Sequence, residues 1–222
     1  MKVKLNQRLS TVASFVDNNK KVIDVGCDHA LLSIFIAQNK SPLKMIASDI
    51  KEGPLEQAKQ NIRKYQVENQ IKVKLGNGIK TIEEDIDTII ISGMGGLNMI
   101  GILKYDIDKY SNIDTIILSP NSDTYEVRKE ICKLGFYISD ETLVKDKGIV
   151  YPVIKFLRGK KKYSYKDYLY GPVLIKNKDK LFLEYLNKEK ETKENLLKVL
   201  PKKYLSKRLK LKKELKVISK II

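Results

Sequence analysis

An α/β fold is predicted: a largely parallel sheet covered by helices, closed by an antiparallel strand pair and followed by a small α-helical coiled-coil unit. Three observations predict it. Short β-branched runs alternate with longer amphipathic stretches through the first two thirds of the chain. Two later apolar runs are joined by a link too short for the crossover of about a dozen residues that a parallel return needs. Beyond Pro172 the strand signals stop, and leucines recur at helical spacing.

Lys4–Asn18 predicts an opening helix with Leu5, Leu9, Val12, Ala13 and Val16 on one face. Val22–Val25 predicts a buried strand ending at Gly26, and Leu31–Gln38 the helix after it. Lys44–Ser48 predicts the second strand, stopped at Asp49. Gly53-Pro54 opens a helix that runs to Tyr65, since proline is tolerated in a first turn. Ile71–Leu75, Thr88–Ser92 and Thr115–Leu118 predict three further strands, each running into a loop of small or turn-forming residues. A helix over Thr124–Leu134 closes at Gly135. Phe136–Val144 and Val150–Leu157 form the antiparallel pair, linked around Lys145–Gly148. This outline resembles a Rossmann-like sheet of the class I methyltransferase kind, which it alone does not single out. Two helices then fold back on each other, with Pro201 near the corner. The division expected is residues 1–160 as a ligand-binding domain and residues 161–222 as a basic helical hairpin.

The net charge of +16 is concentrated rather than spread. Residues 155–222 hold 22 Lys and Arg against 7 Asp and Glu, whereas residues 1–154 hold 21 against 20. A general lysine bias would raise lysine throughout, so the last third is expected to contact a polyanion. No apolar run approaches the roughly 18 residues needed to cross a bilayer. The start of the sequence lacks the apolar stretch of a secretory signal. Cys27, Cys132 and the single histidine, His29, make neither a disulfide framework nor a zinc site. A cytoplasmic protein without metal is expected, a monomer rather than an oligomer.

Five short segments carry candidate chemistry. The first is Asp24-Val25-Gly26-Cys27-Asp28-His29-Ala30, where a strand turns into a helix and the backbone can approach a ligand. A dinucleotide loop starting at Gly26 would need glycine where Asp28 and Leu31 stand, and a carboxylate there repels a pyrophosphate. It suits a positively charged ligand without phosphate; the alternative is a plain turn with Asp28 as a helix cap. Asp49 ends the second strand 23 residues after Gly26, the spacing of a carboxylate that holds ribose hydroxyls or, alternatively, caps a loop. Gly76-Asn77-Gly78 either reads an adenine edge through its amide or is an ordinary turn. Ser92-Gly93-Met94-Gly95-Gly96 and Ser119-Pro120-Asn121 follow strands on the far side of the switch point, where an acceptor belongs. Met94 would pack there through its sulfur, and Asn121 would face an exocyclic amine. All five sit at carboxyl ends of strands, on one rim. Lys160-Lys161-Lys162 is followed by tyrosines, which would either stack on unpaired bases or seal the joint between domains.

These motifs resemble the bacterial tRNA (adenine-N1)-methyltransferases that modify adenine 22. The likeness runs from Arg8-Leu9 through Asp24–Leu32, Ala47–Leu55 with its Asp49-Ile50 pair, and Leu75-Gly76-Asn77-Gly78. It continues through Ser92–Gly96, Leu118–Asn121, Val150-Tyr151 and Gly171-Pro172-Val173-Leu174. Departures are Asn77 where family members often carry Asp, Ser119 for Gln, and Leu31 for Tyr. The resemblance implies S-adenosylmethionine as cofactor and tRNA as partner. It implies Gly26, Cys27, Asp28, His29, Asp49, Ile50, Asn77, Gly78, Gly93 and Met94 around the cofactor. Arg8, Gly95, Gly96, Ser119, Pro120 and Lys160–Lys162 would face the RNA, with Asp28 and Asn121 at the chemistry. Adenine N1 has its own lone pair, so alignment rather than a general base is expected to carry the reaction, and His29 need not act as one. Rival expectations are a methyltransferase acting on another RNA, a small molecule or a protein, and a non-catalytic RNA binder with a relict pocket.

Overall fold

The computed structural model describes residues 1–105 and 111–222. Helix α1 (Gln7–Ser14) is capped by the Asn6 side chain, which accepts from Leu9 N–H. It is shorter than the periodicity predicts, because only Arg8, Val12 and Ala13 of it are buried and the chain leaves the helix at Phe15. Strands β1 (Lys21–Val25), β2 (Lys44–Asp49), β3 (Ile71–Leu75), β4 (Thr88–Ser92) and β5 (Thr115–Ser119) are parallel. The central strands β1, β2, β4 and β5 are buried on both faces, as a parallel sheet between helical layers requires, whereas the edge strand β3 buries only Ile71. Strands β6 (Phe136–Asp146) and β7 (Ile149–Arg158) form an antiparallel hairpin that joins the sheet through β7 and β5. The strand order is β3-β2-β1-β4-β5-β7-β6. The order reverses between β1 and β4, which places the ligand crevice at their carboxyl ends.

Helices α2 (Leu31–Lys40) and α3 (Glu52–Lys64) pack with α1 on one face of the sheet. Helices α4 (Gly96–Lys104) and α5 (Thr124–Lys133) cover the other. Helix α4 is absent from the sequence-based outline. It starts directly at the glycine loop, and Gly96 fits because a Cβ there would meet the Ser122 carbonyl at 2.5 Å.

After β7 the chain forms α6 (Tyr165–Tyr170), α7 (Pro172–Asn177), α8 (Lys180–Val199) and α9 (Leu205–Ile221). The first of the two expected helices is therefore broken. Lys178 adopts a left-handed conformation and Asp179 caps a fresh helix by accepting from Phe182 N–H. Pro201 does lie at the corner between α8 and α9. A small core of Tyr170, Leu174, Phe182, Leu186, Ile218 and Ile221 holds this unit together.

A buried ion pair joins the helical unit to the sheet. Arg128 Nη2 lies 2.9 Å from Glu141, with both side chains almost fully buried, and Arg128 also donates to the carbonyls of Tyr168 and Leu169. Glu141 accepts from Val173 N–H. A Cβ on Gly171 would fall 2.3 Å from the Glu141 carboxylate, and its φ of +91° lies in the left-handed region. Only glycine satisfies both demands, which explains the Gly171-Pro172 step physically.

Candidate active site

The turn after β1 is built from left-handed backbone: Gly26, Asp28 and Ala30 have φ of +73°, +50° and +57°. Strain of this kind concentrates at functional sites. The backbone N–H groups of Gly26 and Cys27 both donate to the Ser48 carbonyl, at 2.8 and 2.9 Å. The Asp28 N–H donates to Asp49 Oδ2 at 3.2 Å. These three donors are thus spent within the fold. Asp28 is not the helix cap either: Ala30 holds that position, with no side-chain capping bond. The Asp28 carboxylate is instead exposed beside the crevice, 3.5 Å from His29 Nε2.

Asp49 takes the loop-capping role, one of the two expected of it. Its second oxygen accepts from Lys51 N–H at 3.0 Å, capping the loop, and the residue lines the same cleft as Gly26, Ile50, Asn77, Gly78 and Met94. The Asn77 side chain is exposed and makes no hydrogen bond among the described residues, so its amide is available at the rim. Gly78 begins a short 3-10 helix (Gly78–Thr81) and packs against Ile102 of α4, where a Cβ would meet Cγ2 at 2.8 Å. Ile50 is an exposed apolar side chain at the mouth.

A neighbouring depression, lined by Arg8, Asp24, Gly26, Cys27, Asp28 and Gly93 among others, continues the cleft beneath the turn. Its floor is Asp24, named in the motif but given no role by the sequence. Asp24 is 3% exposed; Ser33 Oγ donates to it at 2.8 Å, and no cation pairs with it among the described residues. Burial pushes its carboxyl up to about 6, Ser33 opposing and the Asp49 charge adding. Burial also raises the Cys27 thiol well above its ordinary value, so Cys27 is no nucleophile. The two depressions carry Asp24, Asp28 and Asp49 against Arg8 and Lys51, and the Arg8 guanidinium is engaged by Ser119 and Asn121.

The loops after β4 and β5 are tied to each other. Asn121 N–H donates to the Met94 carbonyl at 2.8 Å, and its side-chain amide to the Gly93 carbonyl at 2.6 Å. Gly93 N–H donates to the Ser119 carbonyl. Arg8 locks the assembly: its guanidinium donates to Ser119 Oγ at 2.9 Å, to Asn121 Oδ1 at 2.7 Å and to the Ser119 carbonyl, and it lies 3.9 Å from the Tyr151 ring centroid. Expected to meet RNA, Arg8 meets the loop instead. Met94 bends back over the turn, its terminal methyl 2.0 Å from where a Gly26 Cβ would stand. Gly95 precedes α4 as its cap, Gly96 is its first residue, and Pro120 is buried beneath the loop.

Lys160, Lys161 and Lys162 are not brought to this site. They follow β7, whose end pairs with the start of β6 and β5, so they stand at the opposite rim of the sheet, by the amino ends of the parallel strands. Lys161 Nζ lies 4.0 Å from the Tyr137 ring centroid. The tyrosines that follow seal the joint. The Tyr163 hydroxyl bonds both backbone groups of Ile138, Tyr165 packs on Tyr125, Tyr163 packs on Tyr168, and Tyr170 is buried.

The family model described as tRNA (adenine(22)-N(1))-methyltransferase, TrmK, matches residues 22–220. The chain belongs to this family. The Bacillus subtilis tRNA (adenine(22)-N(1))-methyltransferase is 31% identical over 194 residues, covering 84% of this chain and 82% of that protein. The crystal structure of the B. subtilis m1A22 tRNA methyltransferase TrmK superposes with a TM-score of 0.90 at 27% identity, covering 100% of both chains. The structure of M. capricolum TrmK in complex with S-adenosyl-homocysteine gives a TM-score of 0.87 at 26% identity, covering 97% of this chain and 96% of that one. The class I, Rossmann-like architecture with its antiparallel closing pair is therefore shared by the whole TrmK fold, helical unit included.

Proposed function

We propose that this chain transfers the methyl group of S-adenosylmethionine to N1 of an adenine in tRNA, adenine 22. Family membership supports the reaction, and one structural observation carries it to this cleft. Asp24 is a buried carboxylate without a cationic partner among the described residues, and it floors a crevice rimmed by two more acids. Such a site disfavours phosphate and fits a ligand with an ammonium and a sulfonium.

When bound, S-adenosylmethionine supplies a methyl group already activated on a positively charged sulfur. The chain's residues do the rest. Asp24 holds positive charge under the Gly26–His29 turn, Asp49 and Ile50 flank the ribose, and Asn77 with Gly78 reads the adenine edge. Met94 closes over Gly26 and, with Gly93, fixes the donor side. Asn121, held by Arg8, presents its amide beside Ser119 and Pro120 to the incoming base, while Gly95 leaves room for its flat face; Gly96 is buried against Ser122 and Val127 and does not reach the base. Adenine N1 is an adequate nucleophile, so alignment and exclusion of water carry the rate, and Asp28 steadies the positive charge the base acquires. The base must be unpaired or flipped to reach the cleft. Residues 161–222 bind the tRNA backbone through lysines on α8 and α9.

Incubation with unmodified tRNA and the cofactor, followed by nucleoside analysis, tests the chemistry. N1-methyladenosine is expected. Recovery of a different methylated nucleoside from a cofactor-binding protein would contradict it.

A further inference from the structure

We propose that the cleft between the β6–β7 hairpin and α8 receives the unstacked base of a nucleotide adjacent to the target adenine. This rests on the tRNA-methylating reading above and adds a specificity site to it. The cleft opens beside the acceptor loop, because Asn121 and Thr124 line one end of it. Leu143 and Pro152 form one wall, and Tyr170 and Tyr185 the other. A second depression shares Val150 and Tyr185 with it and leads along α8 past the exposed Lys188. The path therefore runs continuously from the acceptor loop to the basic helices.

The walls choose a base over a phosphate. Arg128 lies at the floor, but its guanidinium is directed to Glu141 and to the carbonyls of Tyr168 and Leu169. No cation of the floor thus faces the cleft, whose lining mixes aliphatic and aromatic side chains with a larger share of polar surface, the combination that the face and the edge of a base require. Every base has a face that stacks on such surface. The Thr124 and Tyr185 hydroxyls make no hydrogen bond among the described residues and can meet a base edge. Tyr170 Oη is a further polar atom of this wall residue, 4% exposed and without a hydrogen-bond partner among the described residues. A target adenine turned out of its stack leaves its neighbour without a partner, and this cleft supplies one. Lys188 lies where the continuing backbone would need a counter-charge.

The test uses the full chain and three tRNA transcripts: intact, abasic on the 5′ side of the target, and abasic on the 3′ side. Loss of about tenfold or more in kcat/KM is expected with at least one abasic transcript. A Val150→Trp variant, which fills the cleft, is expected to show a similar loss on the intact transcript and to ignore the same abasic change, with cofactor affinity unchanged. Equal turnover of all three transcripts by the unaltered protein would overturn the proposal. So would a Val150→Trp protein that still discriminates among them. If the unaltered protein fails on the intact transcript while binding the cofactor, the methyl-transfer reading fails first and takes this site with it.

Discussion

The Arg8 guanidinium donates to the Asn121 side-chain oxygen at 2.7 Å, linking α1 to the loop after β5 across 113 residues of sequence. Because the same amide donates to the Gly93 carbonyl, Arg8 sets its orientation between the loops after β4 and β5, where the proposed reaction places the base. Arg8→Ala is expected to lower kcat by about a hundredfold, the scale of a small misplacement of a positioning group. The KM for tRNA and the affinity for cofactor should change little. Arg8→Lys keeps the charge without the planar fork and should restore only part of the rate. A loss confined to KM would instead place Arg8 on the RNA.

Asp24 should make ligand binding depend on pH. Its folded pKa, about 6, lies above the ordinary 3.8. Stability tied to its protonated form is therefore present below pH 3.8 and lost as pH rises through 6, on the order of 3 kcal/mol by neutral pH. Asp24→Asn is expected to raise the stability of the ligand-free protein at pH 7.5, with a difference that shrinks at pH 5, while weakening cofactor binding roughly tenfold or more. Calorimetric titration across pH 5 to 8 should show tighter binding to the unaltered protein at the high end. A flat profile would remove Asp24 from ligand binding.

Gly26 and Met94 should behave as one unit. A Cβ at Gly26 stands 2.0 Å from the Met94 methyl and adopts a φ of +73°. Gly26→Ala is expected to weaken cofactor binding and to cost about 1–2 kcal/mol of stability through backbone strain. Adding Met94→Ala should relieve the contact but not the strain, giving a non-additive double-mutant cycle in cofactor affinity. Strict additivity would show that the two side chains do not share the turn.

Glu141→Gln should be among the most damaging single changes outside the cleft. It leaves Arg128 buried beside a neutral partner, at a cost of about 3–5 kcal/mol measured by denaturant unfolding. The same joint makes deletion of the helical unit a poor test of RNA binding, since Glu141 and Arg128 both bond to residues 168–173. Replacing exposed Lys207, Lys210 and Lys212 of α9 with serine is cleaner. Weaker tRNA binding with a shallower salt dependence and unchanged cofactor affinity is expected.

The sheet was legible because most of its strands are β-branched runs such as Thr88–Ser92, ended at one rim by a glycine, an acid or, after β5, by Ser119-Pro120. Helix α4 was not, because Gly96 and Gly101 interrupt its apolar stripe and resemble loop residues. The break at Lys178 was hidden by leucines that keep helical spacing across it, although Asp179 carried the signal of a new cap. At the site, every loop residue could be placed by its strand end. What could not be placed was long-range: Arg8 reaching Ser119 and Asn121, Asp24 left unpaired under the turn, and Lys160–Lys162 carried to the far rim of the sheet. Sequence spacing encodes neighbours along one element, not which side chain crosses between elements.

The central claim is tested most directly by methyl transfer from labelled S-adenosylmethionine to two unmodified tRNA transcripts that differ only at position 22. Incorporation into the transcript with adenine 22, and none into the one with guanine 22, is the predicted result. Equal incorporation into both, or none into either by a folded protein that binds the cofactor, would contradict it.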